Sequence, residues 1–284
     1  MIPPLTRLRP PVVSSLMLAM ATLCATAAAA DDASRWDGDA RSAARLIAGT
    51  RGAEAALRAG IEIRLKAGWH TYWRYPGDAG VPPQFDFAGS QNLKAVEVRW
   101  PVPRPIAEAG LIAIGYDRDV ILPLKVTPQD ASKPVMLRLK LSYAICEKLC
   151  VPAEAKGELA LAGAPSAQDA ALTAAEARVP RQRSLREGAG LAVRSVQREA
   201  GSNPPRLLID VAALGSGPVD LFAEGPTDQW APPLPVLMPG APPPLQRFVL
   251  DLDGAPPGET YEGALIKLTA VQGGEAIEVR VRVD

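Results

Sequence analysis

The strongest constraint on what this chain can fold into is a period of two. Ile61, Ile63 and Leu65 alternate with Glu62, Arg64 and Lys66; Leu137, Leu139, Leu141 and Tyr143 alternate with Arg138, Lys140 and Ser142; Ile277, Val279, Val281 and Val283 alternate with Glu278, Arg280 and Arg282. Successive side chains of a strand point to opposite faces, so each stretch predicts a strand with one face on a core and the other in water. Further strand candidates fall at 44–48, 93–100, 120–126, 158–161, 207–211, 219–222, 247–252 and 264–271. The 29 prolines and 24 glycines favour turns over long helices. Many short strands with turn residues between them predict an all-β protein built as a β-sandwich.

One stretch departs from this pattern. "PSAQDAALTAAEARVP", residues 165–180, offers Ser166 as an N-cap followed by alanine-rich helical sequence, and prolines bound it at both ends. It predicts a short, partly helical linker over 165–184, joining one sandwich over 31–164 to a second, cysteine-free sandwich over 185–284. The two halves resemble each other faintly. "TYWRYPGDAGVPPQFDF" (71–87) sits beside "DLFAEGPTDQWAPPLPVL" (220–237), and "GYDRDVILPLKV" (115–126) beside "TYEGALIKLTAV" (260–271). Both pairs read as a degenerate repeat of one sandwich.

The N-terminus sets the compartment. Arg7 and Arg9, an apolar run over 12–24 and the small residues of "ATAAAA" before Asp31 have the layout of a secretory signal peptide over residues 1–30. Its removal takes Cys24 with it, because Leu23 is too bulky to precede a lipidated cysteine comfortably. Beyond residue 30 no apolar run reaches the ~18–20 residues of a membrane span. Lys+Arg and Asp+Glu balance at 31 each, so neither nucleic acid nor an anionic membrane is an electrostatically favoured partner. The single histidine, His70, excludes a His-rich metal site, and no cofactor is expected.

Export leaves Cys146 and Cys150 in an oxidising space. They lie in "AICEKLCVP" (144–152), where three readings are open: a structural staple, a metal clip or a reactive thiol pair. Residues four apart in a continuous strand are ~13 Å apart, beyond the ~4.4–6.8 Å between Cα atoms that a disulfide tolerates, so a bonded pair requires a turn within Glu147-Lys148-Leu149. The following "AEAKGELAL" supplies a returning strand, which places the pair at a hairpin tip or sandwich edge. As a staple the five-residue ring is weak, about 2 kcal/mol by loop entropy against roughly 4 for a bridge closing ~70 residues. A tight ring is also open to exchange. Two thiolates with His70 or a methionine would suit a soft ion such as Cu(I). Nearby, Trp69, Tyr72, Trp73 and Tyr75 cluster with His70 and Arg74 before a turn at Pro76-Gly77-Asp78. The cluster reads as a strand edge with rings in the core, Arg74 stacked on one of them and His70 structural.

Taken in order, "GWHTYWRYPGDAGVPPQFDF", "RWPVP", "GYDRDVILPLKV" and "LSYAICEKLCVPAEA" over residues 60–160 resemble the N-terminal periplasmic domain of the thiol:disulfide interchange protein DsbD. The Cys-x3-Cys spacing and the second sandwich are more similar to its relative in copper tolerance, the suppressor-of-copper-sensitivity protein ScsB. The resemblance implies an immunoglobulin-like sandwich and a periplasmic electron relay of the kind that serves cytochrome c biogenesis or copper tolerance. It implies Cys146 and Cys150 as the redox couple, and a shielding cap loop at Gly110, Leu111, Ile112, Ala113 and Ile114. It implies thioredoxin-fold periplasmic proteins as acceptors. The chain carries neither a membrane domain nor a thioredoxin-like one, so a separate membrane reductase is expected as donor. The competing expectations are a non-catalytic binding or adaptor module with a structural disulfide, and a copper-handling protein.

Overall fold

The computed structural model describes Met1 and residues 31–52, 56–77, 80–108 and 110–284. The expected signal peptide, Met1 aside, and Asp78 of the expected turn lie outside the described residues. No described helix is long and apolar enough to cross a membrane.

Among the described residues eleven strands come first: β1 (Asp37–Gly38), β2 (Ser42–Ala48), β3 (Leu57–Leu65), β4 (His70–Gly77), β5 (Gln84–Asp86), β6 (Leu93–Val98), β7 (Arg104–Glu108), β8 (Leu111–Tyr116), β9 (Val120–Pro128), β10 (Val135–Cys146) and β11 (Cys150–Leu161). They form two antiparallel sheets, ordered β1-β2-β3-β9-β6 and β11-β10-β4-β8-β7, with β5 against β10. The alternation seen in the sequence decides which faces meet. Ile61, Ile63, Leu122 and Leu124 of one sheet and Leu137, Leu139 and Leu141 of the other are buried in a shared core, while Arg64 and Lys140 stay in water. Each such aliphatic side chain contributes about 1.5–3 kcal/mol by leaving water.

The helix α1 (Asp169–Glu176) follows. It begins later than the expected cap: Gln168 is the N-cap residue, and Ser166 Oγ instead donates to the Ala48 carbonyl at 2.7 Å and accepts the Gln168 N–H at 3.0 Å. The bond to Ala48 turns the side chain of Ser166 back onto the sandwich. Asp169 accepts from Ser166 N and Thr50 N, and the Thr50 hydroxyl holds its carboxyl below the usual range. Leu172, fully buried, sits where side chains at Gly49 and Gly60 would collide with it. Arg58 clamps both ends of the helix through Asp169 and Glu176.

The remaining strands are β12 (Arg181–Arg183), β13 (Ala192–Arg198), β14 (Arg206–Ala212), β15 (Asp220–Glu224), β16 (Val236–Met238), β17 (Leu245–Asp251), β18 (Leu265–Gln272) and β19 (Glu275–Arg282). They form a second pair of sheets, β12-β19-β18-β15 and β13-β14-β17-β16, around Ile209, Val211, Phe248, Leu250, Leu268 and Val279. Their order repeats that of the first pair. The run β13-β14-β17-β16 matches β2-β3-β9-β6, and β18 lies between β15 and β19 as β10 lies between β4 and β11. The likeness of 71–87 to 220–237 therefore aligns equivalent strands, β4 and β15. That of 115–126 to 260–271 sets β9 against β18, whose topological counterpart is β10. The hairpin β7–β8 has no counterpart in the second copy.

The two sandwiches are joined through β4. Trp73, fully buried, packs against Phe222 with ring centroids 5.9 Å apart. Arg74 lies over the Trp73 ring at 4.3 Å, as its stacking role anticipated, but its charge is spent on the second sandwich. It donates to Glu224 at 2.7 and 2.8 Å and to Glu278. Tyr75 donates to the Pro232 carbonyl.

Candidate redox site

Strands β10 and β11 pair in one unbroken antiparallel register, from Val135 opposite Leu161 to Cys146 opposite Cys150. The cysteines are the last rung before the turn Glu147-Lys148-Leu149, which is the turn the spacing demanded. Opposite residues of a ladder project to the same face, and here the Cα atoms are 4.1 Å apart and the sulfurs are bonded. The two sulfurs differ in exposure. Cys146 is 1% exposed, whereas Cys150 is open to solvent. Beside Cys150 lies a shallow, largely apolar groove of about 400 Å³ between Val81, Pro82, Tyr143 and Val151.

Three further side chains converge on the sulfurs, and each is set there by strand pairing. Strand β4 joins β10 at the end of the ladder, with His70 opposite Cys146 and Thr71 opposite Ile145. His70 and Tyr72, two residues apart, thus share a face and meet edge-on at 5.5 Å. On its other side β4 pairs with β8, Tyr72 opposite Gly115. A Cβ at Gly115 would overlap the Thr71 carbonyl oxygen, so glycine lets these strands close. Hairpin β7–β8 then brings Glu108, opposite Leu111, back over the pair.

The resulting contacts are short. Tyr72 Oη is 2.8 Å from Cys146 Sγ and 3.2 Å from Cys150 Sγ, and it lies 3.2 and 3.3 Å from the two oxygens of Glu108. Glu108 Oε1 approaches Cys150 Sγ to 2.9 Å, and Oε2 is 3.3 Å from His70 Nε2. A disulfide sulfur has no proton, so the Glu108–Cys150 contact becomes a hydrogen bond only when the pair is reduced. Burial, reinforced by the Glu108 charge, pushes the Tyr72 phenol well up, and it stays an O–H donor across the physiological range. Tyr72, Ala113, Ala144 and Cys146, with Ile106 at the margin, form a small apolar cluster that keeps water from the inner sulfur.

Both expected cysteines are therefore brought together. The expected cap stretch is divided. Gly110 turns the chain with φ +88°, and Leu111 and Ile112 are 48% and 41% exposed. Ala113 and Ile114 are buried in strand β8, and Ala113 packs beside Cys146. The closest approach of this hairpin to the sulfurs comes from Glu108, just before the turn. Sequence reasoning did not single out Glu108; it read Tyr72 as a core ring and His70 as structural or, in the metal-clip reading, as a ligand beside the two thiolates, and their spacing of two beside the turn was the available signal.

Residues 41–162 match the family model described as thiol:disulfide interchange protein DsbD, N-terminal. This segment is similar to the N-terminal domain of DsbD. The crystal structure of the N-terminal periplasmic domain of ScsB from Proteus mirabilis aligns with a TM-score of 0.69, covering 89% of this chain and 98% of that one at 20% identity. At that identity the likeness concerns fold, and its coverage takes in both sandwiches. No curated protein matches the chain in sequence. The DsbD-like segment contains every residue placed around the disulfide.

Proposed function

We propose that this chain is a periplasmic thiol–disulfide exchange protein that accepts two electrons at Cys146–Cys150 and hands them to thioredoxin-fold partners. The observation that carries the reading is the asymmetry of the pair. Cys150 is exposed beside an apolar groove, while Cys146 is buried under the Tyr72 hydroxyl. A donor thiolate attacks Cys150 Sγ, the intramolecular S–S bond breaks, and Cys146 leaves as a thiolate to which Tyr72 O–H donates. The donor's second thiolate then attacks its own sulfur in the mixed disulfide and releases Cys150. The donor is now oxidised, and the chain carries two thiols once two protons are taken from solvent. In the reverse sense, Cys150 attacks an acceptor disulfide and Cys146 resolves the intermediate. The donor is a separate membrane reductase, and the second sandwich acts by bracing β4, the strand that bears Tyr72.

Equilibration with glutathione tests the reading. A reduction potential above about −300 mV is expected, since structural disulfides lie below it. The Cys146→Ser variant should trap a mixed disulfide through Cys150 with a thioredoxin-fold protein. A potential below that value, with no trapped species, would return the pair to the status of a staple.

A further inference from the structure

Four strands each aim one metal-binding atom at the hairpin tip: His70 from β4, Glu108 from β7, Cys146 from β10 and Cys150 from β11. One ligand atom from each of His70, Glu108 and Cys146 lies within 4.8 Å of the others, and Glu108 Oε1 is 2.9 Å from Cys150 Sγ. Tetrahedral Zn²⁺ with bonds of about 2.0–2.3 Å spaces its ligands roughly 3.3–3.8 Å apart. The three-residue cluster thus needs a contraction of about 1 Å, within reach of rotamer changes. We propose that the reduced form of this tip binds Zn²⁺ through Cys146, Cys150, His70 and Glu108, and that the disulfide is its off state.

The chemistry of the donor set selects the metal class. Two thiolates, an imidazole and a carboxylate form the mixed S/N/O tetrahedron that a borderline divalent ion such as Zn²⁺ accepts. Cys146 and His70 are 1% and 6% exposed, so two of the four ligands are held by packing before metal arrives. The Tyr72 hydroxyl, 2.8 Å from Cys146 Sγ, is placed as an outer hydrogen-bond donor to a ligating thiolate. Binding displaces a proton from each thiol into solvent. Oxidation by an acceptor's disulfide, which takes up the two electrons and leaves as a dithiol after protonation from solvent, joins the two sulfurs and releases the ion. Zn²⁺ and an incoming disulfide therefore compete for the same sulfurs. The inference needs only that the pair can be opened, which the exchange reading also requires, and it needs no protein partner.

The test uses the whole chain, reduced with a phosphine, assayed for two free thiols and freed of reductant without air. Titration with Zn²⁺ against a chromogenic chelator should give one equivalent bound to the reduced protein and none to the oxidised protein. Co²⁺ substitution should give thiolate charge-transfer absorption. His70→Gln and Glu108→Gln keep both thiols and should each weaken Zn²⁺ at least tenfold. Circular dichroism confirms that each variant folds, and Glu108, less buried than His70, carries the test if His70→Gln does not. A reduced protein that binds no Zn²⁺, equal binding by the oxidised protein, or unchanged affinity in Glu108→Gln overturns the metal site. A reduced chain that exchanges with thioredoxin but ignores Zn²⁺ overturns this proposal alone. A pair that resists excess phosphine overturns both readings.

Discussion

Replacing Arg74 by Met tests how the two sandwiches are held together. Methionine keeps an unbranched stem over Trp73 but removes the charge shared by Glu224 and Glu278. Their side chains are only 11% and 5% exposed, so solvent cannot take over Arg74's role. Glu278 keeps the Gln182 amide at 2.7 Å, and Glu224 keeps Lys267 at 3.5 Å. Breaking a buried ion pair from one side costs about 3–5 kcal/mol, a large share of the roughly 5–15 kcal/mol typical of a folded domain. The sign with pH follows from Glu278. Burial pushes its carboxyl up, but the Arg74 charge, the Gln182 hydrogen bond and Lys267 outweigh burial and hold it below its ordinary value of 4.5. In the wild type this pairing stabilises fully above that value, and the contribution is lost as pH falls through the lowered one. Without Arg74, burial dominates and the carboxyl rises, so acid relieves the variant by protonating Glu278. Urea unfolding followed by tryptophan fluorescence should show a deficit of about 3–5 kcal/mol at pH 7 that shrinks towards pH 4.5. Adding Glu224→Gln and Glu278→Gln to Arg74→Met should recover most of it. A deficit below about 1 kcal/mol at pH 7, the scale of an exposed pair, or one that grows in acid, would refute the argument.

Two further predictions concern the redox site. Tyr72→Phe removes the O–H donor beside Cys146 Sγ; sulfur accepts weakly, so the loss should sit near about 1.5 kcal/mol, raising the Cys146 thiol by about one pKa unit. Alkylation rate against pH in a Cys150→Ser background measures this, and an unmoved profile would remove Tyr72 from the site. Gly115→Ala drives a methyl into the Thr71 carbonyl, so β4 and β8 must part and Tyr72 must shift. The expected cost is about 2–3 kcal/mol in unfolding together with the Tyr72→Phe alkylation phenotype, and a cost under about 0.5 kcal/mol would mean the strands tolerate separation.

What the sequence disclosed depended on whether a strand has one wet face. The stretches at 61–65 and 137–143 alternate because solvent covers one side, and each emerged with the expected residues inward; at 277–283 the apolar residues also face inward, but Glu278 on the opposite face is buried against Arg74 of the first sandwich instead of lying in water. Strand β4 carries no such signature: His70, Thr71, Tyr72 and Trp73 are all buried, since the disulfide cluster covers one face and the shared core and second sandwich cover the other. Its residues therefore read as a core edge, with His70 alone offered as a possible ligand. Glu108 was hidden for a different reason. It stands 42 residues from Cys150 and reaches it only because β8 pairs with β4 while β7 folds back over β8, a relation no local pattern encodes. The cysteine turn was legible because covalent geometry leaves a four-residue separation no other way to close.

The repeat explains how a site arises on one sandwich and not on the other. Hairpin β18–β19 occupies the place of β10–β11, and its last rung is Gln272 opposite Glu275 across a turn of two glycines with positive φ. There Gln272 is turned inward, accepting the Leu214 N–H and donating to the Gly217 carbonyl, so the tip ties down a neighbouring loop. In the first sandwich the same rung holds two cysteines. The inserted hairpin β7–β8 adds a carboxylate over them, and β4, unlike β15, supplies a hydroxyl and an imidazole from beneath. Thiols at the β18–β19 tip would meet no such environment, so cysteines placed at 272 and 275 could form a disulfide but would lack the buried leaving group that the Tyr72–Glu108 arrangement gives Cys146. On the proposed exchange reading, reactivity belongs to the insertion and to β4, and the sandwich supplies the rigid ladder that holds them in register.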